Sequence, residues 1–241
     1  MKWVIVTGAT GGLGKEITKK ILNNTAYGVI SISSSEKYND NSIFDKYSDR
    51  FVHVQYNFKD SAGIKMLYIN KISKIGIIHG LVNNSAIAYD DIVSNLNIDN
   101  LKEMYEVNVF SAMNLTKYAI RDMLLNKTKG SIVNISSISA HTGYKGLSMY
   151  ASTKGAMEAF SKNTAREWGA KDIRSNCVVP GFMETAISSS LTEDQKDRIY
   201  KRTSLKKPTD IESVADTVVY LLSDQSKSIT GTCIHVDNGT I

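Results

Sequence analysis

The stretch Lys2-Trp3-Val4-Ile5-Val6-Thr7-Gly8-Ala9-Thr10-Gly11-Gly12-Leu13-Gly14 decides the fold of this 241-residue chain. Its first part is a short apolar run rich in β-branched residues, which reads as a buried strand. Glycines crowd the turn that follows, and beyond it Ile17, Ile21 and Leu22 fall on one helical face. Strand, glycine turn and helix is the context a dinucleotide site needs. Glycine lets the backbone approach a pyrophosphate closely, and the helix N-terminus offers it free N–H groups. Taken alone, the turn also reads as an ordinary strand-to-helix loop.

Outward from this unit, strands and helices alternate, which predicts an α/β fold: a Rossmann-type, doubly wound parallel sheet with helices on both faces. Further strands are predicted at 28–33, 51–56, 77–83, 131–135, 174–179 and 232–236. Residues 34–50 read as loop and short helix, 99–125 as one long helix, and 149–168 as another. The only prolines, Pro180 and Pro208, fall outside strand interiors. No repeat or linker divides the chain, so 1–241 is expected to be one domain.

Composition narrows the classes. At 42% hydrophobic and 22% charged, the chain has enough apolar residues for a sizeable core. Its net charge of +5 comes from scattered lysines, not from a dense basic block interleaved with aromatics, which argues against nucleic acid as a partner. No apolar run approaches the ~20 residues of a membrane span, and the start leads straight into a core strand, so a cytoplasmic location is expected. Cys177 and Cys233 fall in predicted strands and read as small core hydrophobes. His53, His79, His141 and His235 show no ligand spacing, and no metal is expected.

Tyr150-Ala151-Ser152-Thr153-Lys154 places a phenol and an ammonium one helical turn apart. A phenol titrates near pH ~10, and an adjacent ammonium lowers that by roughly one to three units, which would suit Tyr150 to proton transfer. The same spacing is common on solvated amphipathic helices. What lifts it above that background is the rest of the chain.

Thr7-Gly8-x-x-x-Gly12-x-Gly14, Asn83-Asn84-Ser85-Ala86, Asn108, Ser137 and Pro180-Gly181-Phe182-Met183-Glu184-Thr185 occur in order around the Tyr150/Lys154 pair. Across residues 4–236 this set resembles the short-chain dehydrogenase/reductase family. The resemblance implies hydride transfer between a nicotinamide and a carbonyl or alcohol. Tyr150 would move the proton, Ser137 would hold the substrate oxygen, and Lys154 would tune Tyr150 and bind ribose. Asn108 would support a water relay to Lys154. By the same resemblance the cofactor would contact Gly8, Thr10, Gly11, Gly12, Leu13, Gly14, Ser33, Ser34, Ser35, Asn57, Phe58, Asn84, Ser85, Ala86, Tyr150, Lys154, Pro180, Gly181, Met183 and Thr185. Ser85 and Ala86 depart from the family's Ala-Gly, and a methyl there crowds backbone approach.

Cofactor choice turns on the end of the second strand, where an acid would bind the adenosine 2′-hydroxyl and repel a phosphate. Ser33-Ser34-Ser35-Glu36-Lys37 has no acid at its first positions, which favours NADP(H) over NAD(H). The position where NADP-using relatives often carry a cation is Gly11, and Lys15 or Lys37 would have to substitute. Thr230-Gly231 and His235 to Gly239 look most like the 3-oxoacyl-acyl-carrier-protein reductase branch. A carrier-bound carbonyl is then the expected substrate; a sugar, nucleotide sugar or other small ketone is the alternative, and a catalytically silent sensor or scaffold a remote one. Lys127, Lys129 and Lys171 would dock an acidic carrier, or simply complement helix C-termini. Residues 184–207 would form a substrate lid or a surface helical hairpin. The resemblance also implies a homotetramer built on the helices of Asn108 and Tyr150.

Overall fold

Val4, Ile5 and Val6 in β1 (Lys2–Thr7) are fully buried, as a strand covered on both faces requires. A computed structural model of the chain describes residues 1–38, 46–185 and 192–240. Its other strands are β2 (Gly28–Ser33), β3 (Phe51–Gln55), β4 (Ile77–Asn83), β5 (Ser131–Ile135), β6 (Arg174–Pro180) and β7 (Cys233–Val236). They form one sheet of order β3-β2-β1-β4-β5-β6-β7, every neighbouring pair parallel. Strand order reverses between β1 and β4, and open α/β sheets bind ligands at the carboxyl ends of such strands.

The helices among the described residues are α1 (Gly12–Asn24), α2 (Ile64–Asn70), α3 (Ile98–Tyr105), α4 (Ser111–Leu125), α5 (Ser148–Trp168), α6 (Glu193–Tyr200) and α7 (Ile211–Leu222). Side-chain alternation along β1 divides the core. Val4 and Val6 pack with Ile17, Ile21, Val218 and Leu221 on the side of α1 and α7. Ile5 packs with Leu67, Leu115 and Ala119 on the side of α2 and α4. Neither α2 nor α7 carries a glycine or catalytic motif, and their placement comes from the structure. No helix among the described residues is long and apolar enough to cross a membrane.

Strand ends differ from the sequence expectations by a residue at most. The long helix is a larger correction. Residues 99–125 are not one regular helix but α3 and α4 joined by a π-helical turn, Glu106–Phe110. Asn108 stands in the middle of that turn, tied by its side chain to a neighbouring segment. Such tertiary bonds select a wider turn that helix propensity does not predict.

Of the expected lid, residues 186–191 lie outside the described residues, as do residues 39–45 of the expected loop and short helix. Beyond the former, a capping box of Thr192 and Gln195 starts α6. Tyr200 Oη donates to Glu184 Oε1 at 2.7 Å, fastening α6 to the end of the Pro180 motif. Cys177 and Cys233 face each other across β6 and β7 as free thiols. The hydrogen bond between them, together with burial, pushes Cys177 up, and the same bond pushes Cys233 down.

Candidate active site

The glycine turn is built against the end of β4. Thr7 Oγ1 accepts from Asn84 N and Ser85 N at 2.9 Å each, and Asn84 Nδ2 donates to Thr7 O at 2.9 Å. Gly8 sits at φ +64°, where a side chain is strained, and a Cβ on Gly14 would lie 2.2 Å from Gly8 O. This contact lets α1 begin tight against the turn. Gly11 caps the helix without a side-chain bond, so the first N–H groups of α1 have no partner within the helix.

A cleft of about 730 Å³ opens above this turn. Every residue assigned to the site from sequence lines it except Ser35 and Asn108. Ser35 instead receives His53 Nε2 on its carbonyl at 3.0 Å. At the β2 end of the cleft, Ser33 Oγ is buried without a hydrogen-bond partner. An orphaned hydroxyl beside a glycine cradle fits a dinucleotide, which would supply both a polar partner and a pyrophosphate. Asp90, Tyr144, Lys145, Leu147 and Ile199 also line the cleft, and no motif marked them beforehand.

At the other end, α5 presents Tyr150 and Lys154 to the cleft. Lys154 is 5% exposed, and its Nζ donates to Ile135 O at 2.8 Å while standing 5.4 Å from the Tyr150 ring centre. Burial pushes its ammonium down to about 8. Tyr150 departs from the sequence expectation: its phenol is pushed up, by burial first and the Asp90 carboxylate second. Lys154 directs its ammonium to a backbone carbonyl, and burial and Asp90, not this lysine, set the direction in which the phenol shifts. Ser137 caps the short turn Ile138–Ala140, accepting from Ser139 N at 3.2 Å, which leaves its own O–H to donate.

Asn108 is buried behind the cleft. Its Oδ1 accepts from Ile87 N at 2.9 Å, and its Nδ2 donates to Ile87 O at 2.9 Å and Thr153 Oγ1 at 3.1 Å. Both amide donors are used, so Asn108 acts on the cleft through Ile87, which lines it. Lys127, Lys129 and Lys171 are exposed at the C-terminal ends of α4 and α5. Those helices run back from the cleft, so the lysines stand at the amino edge of the sheet, across from it. Lys129 Nζ pairs there with Asp172 Oδ2 at 3.1 Å.

This fold and cleft define an NAD(P)-dependent oxidoreductase. A family model described as "Enoyl-(Acyl carrier protein) reductase" matches residues 8–240. The 3-oxoacyl-[acyl-carrier-protein] reductase FabG of Haemophilus influenzae is 32% identical over 238 residues, covering 99% of this chain and 97% of the relative. Among solved structures, a short chain dehydrogenase/reductase family protein superposes with a TM-score of 0.88 at 26% identity, covering 98% of this chain and 96% of its own. A 4-hydroxyisoleucine dehydrogenase complexed with NADH gives 0.91 at 26% identity, covering 100% and 98%. The chain belongs to the short-chain dehydrogenase/reductase family.

Proposed function

We propose that this enzyme reduces the keto group of a 3-oxoacyl chain carried on acyl-carrier protein, with NADPH as reductant. The full-length similarity to a reductase named for that reaction carries this reading, and the cleft supports it. The nicotinamide, when bound, supplies the hydride. Tyr150, kept protonated by the burial that raises it, gives the substrate oxygen its proton. Ser137 donates its free O–H to the same oxygen and stabilises the charge that develops there. Lys154 restores the Tyr150 proton and binds ribose, with Ile135 O fixing its position. Gly8 to Gly14 hold the pyrophosphate, and Pro180 to Thr185 the nicotinamide amide.

A hydroxyl-lined β2 end without an acid supports NADPH. Lys127, Lys129 and Lys171 stand across the sheet from the cleft, so a carrier docked on them would serve the cleft of another copy. Lys59 and Lys145 are exposed cations at the cleft itself, and Lys59 Nζ is paired with Glu103 Oε1 at 2.7 Å. We assign the tetramer to the α4 and α5 faces, where Phe110 stays 50% exposed. The cytoplasmic location expected from sequence goes with this reading. A second reading, oxidation of a small secondary alcohol with NAD, is favoured by the likeness to the 4-hydroxyisoleucine dehydrogenase.

The deciding experiment follows NADPH and NADH oxidation with acetoacetyl-carrier protein, then with the free acetoacetyl thioester. Fast, NADPH-specific turnover that requires the carrier is the expected result. Tight dinucleotide binding without turnover on either thioester would overturn the acyl reading in favour of a small ketone or alcohol.

A further inference from the structure

Glu158 lies two turns along α5 from Tyr150, on the face that also carries Lys154. It is 8% exposed and does not line the cleft, lying against the loop that bears Ser137. Its Oε1 accepts from Ser136 Oγ and lies 2.9 Å from His141 Nε2. Cys233, at the start of β7, completes a cluster in which one nitrogen, one carboxylate oxygen and one sulfur all lie within 4.8 Å of one another. Among the described residues no other group of three such side chains converges in this way.

A histidine–glutamate hydrogen bond accounts for two members of the cluster, and the Cys233 thiol, already bonded to Cys177, also lies within hydrogen-bond reach of the Glu158 carboxylate. An imidazole, a carboxylate and a thiolate together make a donor set of borderline softness, which suits Zn2+ and not the all-oxygen shells of Mg2+ or Ca2+. Zinc ligand bonds of ~2.0–2.3 Å place tetrahedral ligand atoms ~3.3–3.7 Å apart. The His141–Glu158 contact at 2.9 Å would have to open by a few tenths of an ångström, and the widest pair of the cluster, within 4.8 Å, would have to close by up to about one ångström. Outer partners are already in place: Ser136 on the carboxylate and Cys177 on the thiol. The His141 side chain keeps 27% of its surface exposed, giving an ion a way in and a water a fourth position.

We infer that His141, Glu158 and Cys233 form a Zn2+ site, completed by water, that clamps the Ser137 loop to α5 and β7 from behind. The site joins the Ser137 loop and α5, whose ligands are 17 residues apart, to the distant β7, and the loop it holds carries the group assigned to the substrate oxygen. The inference is independent of which carbonyl the cleft takes.

Protein stripped with a chelator and dialysed against buffered Zn2+ should retain one zinc per chain. Cys233→Ser and His141→Ala, checked for folding by circular dichroism, should each weaken retention at least tenfold. Cobalt substituted into the wild type should show a thiolate-to-metal charge-transfer band, absent in Cys233→Ser. Zinc should also slow alkylation of Cys233 at least tenfold and raise the melting temperature of the wild type only. Zinc retained equally by all three proteins, or a cobalt spectrum without thiolate character, would overturn the assignment. So would a wild type that keeps no zinc.

Discussion

Asn108 binds Ile87 at both polar atoms of its backbone, accepting from the N–H and donating to the carbonyl at 2.9 Å each. One buried side chain on a helix thus holds the segment that leaves β4 and borders the cleft. Asn108→Leu should leave both Ile87 groups and Thr153 without this partner, destabilising the protein by about 2–3 kcal/mol. Urea unfolding would measure that loss, and a rise in KM for the cofactor would report the displaced segment. Unchanged stability would mean that Ile87 is held by other contacts.

Lys154 sets activity against stability. Its ammonium falls from the 10.5 of a free lysine to about 8, so the unfolded chain binds that proton more tightly than the native one. The stability cost is fully present below pH 8 and is relieved as pH rises from 8 to 10.5. At ~1.4 kcal/mol per tenfold change in proton affinity, the cost is about 3 kcal/mol. Lys154→Met should therefore abolish turnover yet stabilise the fold, and should lose the rise in stability above pH 8. Denaturation midpoints across that pH range check both.

Tyr150→Phe removes only the phenolic O–H. The expected loss in kcat is ~10²–10⁴-fold, with dinucleotide affinity nearly unchanged. Wild-type turnover in this variant would sink the proton-transfer role.

The Asp90 carboxylate adds to the burial that raises the Tyr150 phenol. Asp90→Asn should move the rising limb of the pH profile for alcohol oxidation toward lower pH, because the phenolate is then less disfavoured. The shift should be modest, since Asp90 is exposed to solvent. A profile that does not move would assign the limb to another group.

Ser34 is exposed at the β2 end of the cleft. Ser34→Asp should repel a 2′-phosphate and accept a 2′-hydroxyl, moving the NADPH-to-NADH ratio of kcat/KM toward NADH at least about tenfold, or ~1.4 kcal/mol. If the ratio stays put, adenosine is read elsewhere.

Phe110 is half exposed on the π-helical turn, 6.1 Å from the Tyr105 ring. Phe110→Glu should dissociate an assembly built on that face, read as a fall in mass by light scattering. A wild type that is already monomeric would remove the tetramer.

Local features were legible in sequence. The β1 strand, Gly8 and Gly14 answer to steric demands between near neighbours, and the four-residue step from Tyr150 to Lys154 is simple helix geometry. The unread features depend on tertiary surroundings. Nothing near Asn108 in the chain announces a π-helical turn, because the turn is selected by bonds to Ile87, 21 positions away. The Tyr150 phenol was expected to fall and instead rises, since enclosure by protein cannot be read from a lysine four residues on. Lys127, Lys129 and Lys171 follow the helices expected of them, and only the topology shows that they stand at the amino edge of the sheet, across from their own cleft. Asp90 became visible only once the cleft was formed.

The π-helical turn at Glu106–Phe110 is, in effect, a permanent one-residue insertion in an otherwise continuous rod. Each residue of an α-helix advances it by ~100° around its axis. Deleting a single residue between 106 and 110 would restore a regular spiral and turn everything downstream by about that angle. Leu115 and Ala119 would swing out of the core, and solvent-facing neighbours would swing in. The helix therefore tolerates substitution at this point far better than a change of length, and drift within a lineage should preserve residue count here even where identity is lost.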